Sequence, residues 1–289
     1  MSVPLNFKVP TALEYFAALV AEDSGFATLE AAVAIAQDDY PELDPQEVLG
    51  QIDALAARLK RRLPTDAGSL QSLRALNRFF FQELGFAGNL NDYHDPDNSY
   101  LHRVLQTRRG IPISLAILYV ELATQIGLTA RGVAFPGHFL VKLRLPQGEV
   151  IIDPFNGQSL SREQLEERLD PYRQGRGLVG DFEVPLGLFL QAASGRDVIA
   201  RMLGNLKEIH RGARDPRRLL AVHDRLVLLL PEAWEEQRDR GLTLAGLGQS
   251  HAAAADLAAY LMHVPDADDA PGLRLRLAEL QGSSRPLLH

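Results

Sequence analysis

The chain has 289 residues, 30 basic against 37 acidic, for a formal net charge of -7. That balance excludes broad, sequence-independent nucleic-acid binding, which needs a positive surface to displace counterions. With no cysteine there can be no disulfide, no cysteine-ligated zinc or iron–sulfur site and no thiolate nucleophile. A hydrophobic share of 46% fills real cores, and the length suits two domains.

The first ninety residues read as helices. Ala12 to Ala21 is apolar at helical spacing, and Thr28 to Gln37 opens after Gly25. Pro45 sits where a helix start tolerates proline, and the segment runs through Ile52, Leu55 and Leu59 to a stop at Pro64. Its basic run, Arg58, Lys60, Arg61 and Arg62, reads as a solvated face. Leu70 to Leu84 follows and ends at Gly85, a C-cap. Asn89 to Ser99, rich in Asn, Asp and Pro, is a loop. Pro112 opens a helix over about Ile113 to Ile126 that is apolar nearly all round, which predicts a central, buried element.

Short β-like runs come next: Ala130 to Phe135, His138 to Leu145 and Glu149 to Asp153, with Pro146-Gln147-Gly148 as a hairpin turn. Residues 161 to 169 form a small helix. Gly175 to Gly187 holds four glycines and a proline and is the expected domain boundary. The expected layout is therefore residues 1–90 as an N-terminal helical part, 91–185 as a mixed core and 195–282 as helical repeats. Met1 to Pro10 carries no export signal, and Ile111 to Leu128 is too short and polar to span a membrane. The expected address is cytoplasmic.

Beyond about residue 195 the helices repeat. Pro231 and Pro265 lie 34 positions apart (265 − 231), the period of a tetratricopeptide unit. That alignment puts Gly241 at the helix-A glycine, Ala253 at the small helix-B position and Leu257 at the large position after it. The copy before it, from about Ala200, is looser, with Lys207 in place of the glycine, and Ala270 to Leu280 supplies a capping helix. An unrelated helical hairpin bundle is the alternative.

Three segments carry the chemistry: Arg109-Gly110-Ile111-Pro112-Ile113-Ser114-Leu115, Pro136-Gly137-His138-Phe139-Leu140 and Ile152-Asp153-Pro154-Phe155-Asn156-Gly157. A nucleophile candidate at a helix start, then a histidine on one strand and an aspartate on the next, is the chain order of a transglutaminase-like triad. With Asp38-Asp39-Tyr40-Pro41 and Leu76-Asn77-Arg78-Phe79, these segments resemble the bacterial SirB-type family, a transglutaminase-like domain followed by tetratricopeptide repeats. The resemblance covers nearly the whole chain. It implies an α+β fold with a transglutaminase-like (papain-like) core, a helical N-terminal part and all-α repeats. It also implies that Ser114 occupies the place of the nucleophilic cysteine, His138 that of the general base and Asp153 that of the residue orienting the histidine. Serine is usual in that branch, and the resemblance supplies a fold rather than a reaction.

A serine beside histidine needs general-base removal of its proton during attack, whereas a cysteine can form an ion pair beforehand. Serine at a helix start is equally an ordinary cap, worth about 1 kcal/mol. In the His138 run, the odd positions Phe139, Val141, Leu143 and Leu145 are all apolar, so His138 points the other way. For Asp153 to share its face, the hairpin loop must have an even residue count, with Leu140 or Lys142 as cross-strand partner. Asn156 closes the strand as a turn or as a polar wall of the pocket, and Arg109 either lines the same cleft or lies on the surface.

Asp92, His94, Asp95 and Asp97 read as a hydrated loop, so no metal site is expected, and no cofactor signature occurs. His210, His223, His251 and His263 are expected on helix surfaces. Arg201, Asn205 and Arg238 are candidates to face a repeat groove and meet an acidic segment. The expected function is a protein-interaction adaptor that binds a protein or peptide through its repeats, with no nucleic-acid or membrane partner. Its Ser-His-Asp site would be inactive or weakly active. The alternative is a serine-dependent acyl hydrolase or acyltransferase acting on a peptide or amide. A purely architectural subunit ranks last.

Overall fold

The structure, a computed structural model, describes residues 9–23, 26–178, 180 and 184–283. It divides into two compact units. One contains the described residues of Met1–Gly25, Gln37–Pro41 and Leu203–His289, and the other contains Phe26–Ala36 and Glu42–Met202.

The second unit is the mixed one. Its helices include α2 (Thr28–Ala34), α3 (Pro45–Lys60), α4 (Ser69–Asn77) and α5 (Leu101–Thr107). Asp44 caps α3 by accepting from the Gln46 N–H, which leaves Pro45 at the first turn, where a missing N–H costs nothing. The helix expected to run to Leu84 instead changes pitch: α4 continues as a π-helix over Arg78–Glu83 before Gly85 turns the chain at φ +72°. The wider turn seats adjacent aromatic rings. Phe80 stacks on Phe86 at 4.4 Å and meets Tyr119 edge-on, while Phe81 also reaches Tyr119. The Tyr119 hydroxyl donates to Asn77 at 2.6 Å.

At the centre is α6 (Pro112–Gln125), buried continuously from Pro112 through Tyr119 as its all-round apolar pattern requires. Before it, β1 (Ala87–Gly88) and β2 (Arg109–Gly110) form a short parallel bridge. After it, β3 (Thr129–Val133), β4 (Leu140–Leu145), β5 (Gly148–Ile152) and β6 (Ser159–Leu160) make an antiparallel sheet in chain order. Strand β4 begins two residues later than His138, because Pro136 and Gly137 (φ +69°) turn the chain and the His138 N–H closes onto Phe135. One face of the sheet packs Val133, Leu140, Ile151 and Leu160 on Leu165 and Leu169 of α7 (Arg162–Arg176). That helix runs seven residues past its expected end, straight through Pro171, and stops at Gly177 in the left-handed region.

The other unit holds α1 (Ala12–Val20) and the repeat helices: most of α9 (Gly195–Gly212), then α10 (Pro216–Leu229), α11 (Trp234–Gly246), α12 (Ser250–His263) and α13 (Ala270–Ser283). The short α8 (Leu186–Phe189) belongs to the mixed unit. Gly241 lets α11 and α12 approach closely, since a Cβ there would stand 3.0 Å from that of Asp256 and 3.1 Å from Leu257. Ala253 and Leu257 are fully buried opposite it. Lys207, where the looser copy lacks the glycine, is buried and reaches across to Glu236 at 2.7 Å and Asp239 at 2.8 Å. α1 packs on α10, with the Arg225 guanidinium 4.9 Å from the centre of the Phe16 ring.

His210 and His223 overturn their surface expectation, for both are buried. His223 faces Glu236 at 3.6 Å, and burial pushes the His210 imidazole below its ordinary value despite nearby Asp39. His251 and His263 are exposed, and His263 stacks on Trp234 at 3.6 Å. Among the described residues no helix is long and apolar enough to cross a membrane.

Candidate functional site

The three conspicuous segments fall at the start of α6, just before β4 and just after β5. Pro146 and Gln147 alone connect the two strands, so the loop count is even. The ladder pairs Leu145 with Gly148 and Val141 with Ile152. Continued by one residue, that register sets Asp153 opposite Leu140, diagonal to His138. The side chains close the gap: His138 Nε2 lies 2.8 Å from Asp153 Oδ1.

Among the described residues Asp153 has three donors. Oδ1 also accepts the Phe155 N–H at 3.0 Å, and Oδ2 accepts Arg168 Nη1 at 2.9 Å from α7. Burial pushes this carboxyl up. The hydrogen bonds from His138 and Arg168, the imidazole charge and the Phe155 N–H outweigh burial and hold it below the ordinary carboxylate range. An ionised Asp153 only accepts, so the imidazole donates to it from Nε2.

Ser114 is held differently. Its Oγ accepts the Ile111 N–H at 3.1 Å and donates to the Asn98 carbonyl at 2.6 Å, with the Ile111 carbonyl at 3.1 Å as a second acceptor. The residue is fully buried. Gly110 completes the enclosure, since a Cβ there would come within 2.7 Å of Ser114 Oγ. Asn98 is itself fixed: its amide donates to the Asp92 and Tyr93 carbonyls, and its Oδ1 accepts from Asn89. The 89–99 loop is thus knotted over the helix start. Among the described residues no hydrogen bond joins Ser114 to His138.

Chains of this kind are known. A profile of the transglutaminase-like superfamily matches residues 46–204, and one of the tetratricopeptide repeat matches residues 206–278. The chain is 35% identical to a UPF0162 protein of Xylella fastidiosa over 90% of its own length and 92% of that protein's. The chain belongs to the UPF0162 family. It is also similar to UPF0162 protein YchA of Escherichia coli (30% identity, 79% of this chain and 82% of that one) and to Protein SirB1 of Salmonella typhimurium (29%, with the same coverage). No solved structure matches.

The remaining expected site residues fall as follows. Asn156 is exposed and accepts the Gln158 N–H, and the Gly157 N–H (φ +77°) closes onto the Asp153 carbonyl. The pair therefore shapes the turn that fixes Asp153. Arg109 donates to the Gly85 and Arg108 carbonyls and makes no bond to His138 or Asp153. Arg201 is exposed and acts electrostatically on Tyr93, whose ring contacts Phe155, which in turn contacts His138. Asn205 is half-buried on α9. Arg238 is bound internally by Asp239 at 2.7 Å and Asp269 at 2.8 Å, over the Tyr260 ring. Asp95 caps the 3-10 turn Pro96–Asn98, and Asp97 pairs with Arg103. Among the described residues no cluster of three or more acidic or histidine side chains could hold a metal.

Arg168 and Asn98 are the hydrogen-bond partners of Asp153 and Ser114 that sequence reasoning missed. Arg168 is one of several charged residues on a helix, and Asn98 is one polar residue in a polar loop. Neither carries a periodicity that would mark it.

Proposed function

We propose that this protein is an interaction platform: its repeat helices bind a protein or peptide, and its transglutaminase-like domain does not perform serine-based acyl transfer. One observation carries the second half. The Ser114 hydroxyl, with no exposed surface, directs its proton at a main-chain carbonyl and accepts a main-chain N–H. A serine nucleophile needs its proton directed at a base and an open line of attack for the substrate carbon. In this arrangement Ser114 is a helix-start tie, and the hydroxyl stabilises fold rather than chemistry.

The His138–Asp153 pair favours a second reading, a serine-dependent acyl hydrolase or acyltransferase on a peptide or amide. Asp153 holds the imidazole at Nε2 and Arg168 holds the other carboxylate oxygen, which supplies the orienting group that a histidine base needs. A fluorophosphonate probe separates the two readings. We expect no labelling of the full chain across pH; labelling lost in Ser114→Ala would establish the enzyme instead. For the platform, hydrogen exchange of the chain with a copurified partner should protect α11–α13. Protection confined to the residues around His138 would remove the repeats from the role.

A further inference from the structure

A cleft in the mixed unit is unused by the arrangement above. It has an outer part of ≈ 660 Å³ and an inner chamber of ≈ 80 Å³, and the two share Thr28, Leu29, Val120, Glu121, Gly132 and Val198. The outer volume is within the range of small-molecule sites. The chamber walls are mostly apolar, from Ile117, Phe139 and Val198 among others, with Thr28 and Glu121 as the polar side chains. On the sheet side Gly132 leaves room for the Phe139 ring of the wall, which a Cβ would strike at 2.7 Å. Such a space offers water few partners and suits an aliphatic group of a few carbons.

The charges are arranged around this chamber in a definite order. Glu121 lines both parts and so stands at their junction. Arg131 and Glu30 line only the outer part, where Glu30 accepts the Gln46 amide. Glu121 accepts the Gln125 amide at 2.8 Å, and Arg131 donates to the Ala130 carbonyl at 3.1 Å. Among the described residues, Glu121 and Arg131 do not pair with each other, although both face one cleft. A carboxylate at the chamber's neck and a guanidinium farther out are complementary to a ligand with an apolar branch, an adjacent ammonium and a carboxylate beyond it.

We propose that this cleft binds an α-ammonium group next to a branched aliphatic side chain, as in a free amino acid such as leucine or at the N-terminus of a peptide. The side chain fills the chamber, Glu121 takes the ammonium and Arg131 takes the carboxylate or first peptide carbonyl. None of its lining residues belongs to the Ser114 tie or to α10–α13, and the proposal stands whether or not the chain has a partner.

Calorimetric titration of the full chain with leucine, N-acetyl-leucine and Leu-Gly-Gly tests it. Leucine or the tripeptide should bind saturably, and N-acetyl-leucine, which lacks the ammonium, should not. Tighter binding of leucine assigns the occupant to a free amino acid, and tighter binding of the tripeptide assigns it to a peptide end. Ile117→Phe, which fills the chamber, should abolish binding with the melting transition retained. Glu121→Gln, a substitution at a partly exposed position that spares the fold, should weaken it about tenfold, the loss of one charge-assisted hydrogen bond. No saturable binding by any of the three, or affinity unchanged in Glu121→Gln, would overturn the proposal.

Discussion

Arg168 donates to Asp153 Oδ2 on the side opposite His138, so the one carboxylate joins α7, the β4–β5 hairpin and the imidazole. Because the carboxylate is buried and held by three donors, its ionisation is coupled to folding.

That coupling fixes the sign of a pH effect. The folded Asp153 carboxyl lies below its unfolded value, so its contribution to stability is fully present above the unfolded value. It is lost as pH falls through the folded one, below the ordinary carboxylate range. Urea unfolding at descending pH should show wild type and Asp153→Asn converging in acid and separating toward neutrality, by about 2 kcal/mol. A constant gap across that window would show that the carboxylate is not held this way.

Ser114→Ala removes the partner of one buried N–H and one buried carbonyl. The expected cost is about 1–3 kcal/mol by urea denaturation, although the Ile111 N–H also lies 3.4 Å from the Asn98 carbonyl and can recover part of it. A neutral substitution would mean the tie is not made. Ser114→Cys should give a thiol that alkylates only through unfolding, because the position is sealed by Gly110 and the 89–99 loop.

Asp38 meets Arg225 through two bonds of 2.8 Å, and the guanidinium is wholly buried. Asp38→Leu leaves that cation short of its counter-charge and should cost about 3 kcal/mol, whereas adding Arg225→Met to it should recover much of the loss. Melting of the four members of this cycle checks the pair. Additive losses would show that the two residues act independently.

Gly241→Val should loosen the α11–α12 hairpin by about 1–3 kcal/mol, since the new Cβ would press on Asp256 and Leu257. Faster hydrogen exchange confined to α11–α13 is the expected signature. Unchanged exchange there would mean that the helices do not need the close approach.

Where a period or a count decides the outcome, the residues could be read directly. The all-round apolar pattern of 112–125 marked α6 as buried, and the 34-residue spacing placed Gly241, Ala253 and Leu257 at one helix contact. The two-residue loop at Pro146 and Gln147 put Asp153 opposite Leu140, whereas His138 reaches it from the turn before β4. The pitch change at Arg78–Glu83 carried no such signal, because three consecutive phenylalanines fit a helix of either pitch until Tyr119 and Phe86 select one. His210 and His223 read as surface groups because a histidine on a helix looks polar. Their burial depends on neighbours contributed by other segments, Asp39 near one and Glu236 facing the other.

Chemical identity and local spacing therefore determined that no thiolate exists here, that a serine stands at the mouth of a buried helix and that an even hairpin loop puts Asp153 opposite Leu140. Only the folded chain decided which way the Ser114 proton points. That direction depends on a loop whose path is set by hydrogen bonds among Asn89, Asn98 and the Asp92 and Tyr93 carbonyls. Bonds of that kind have no repeat in the chain and acquire their geometry only when distant segments meet.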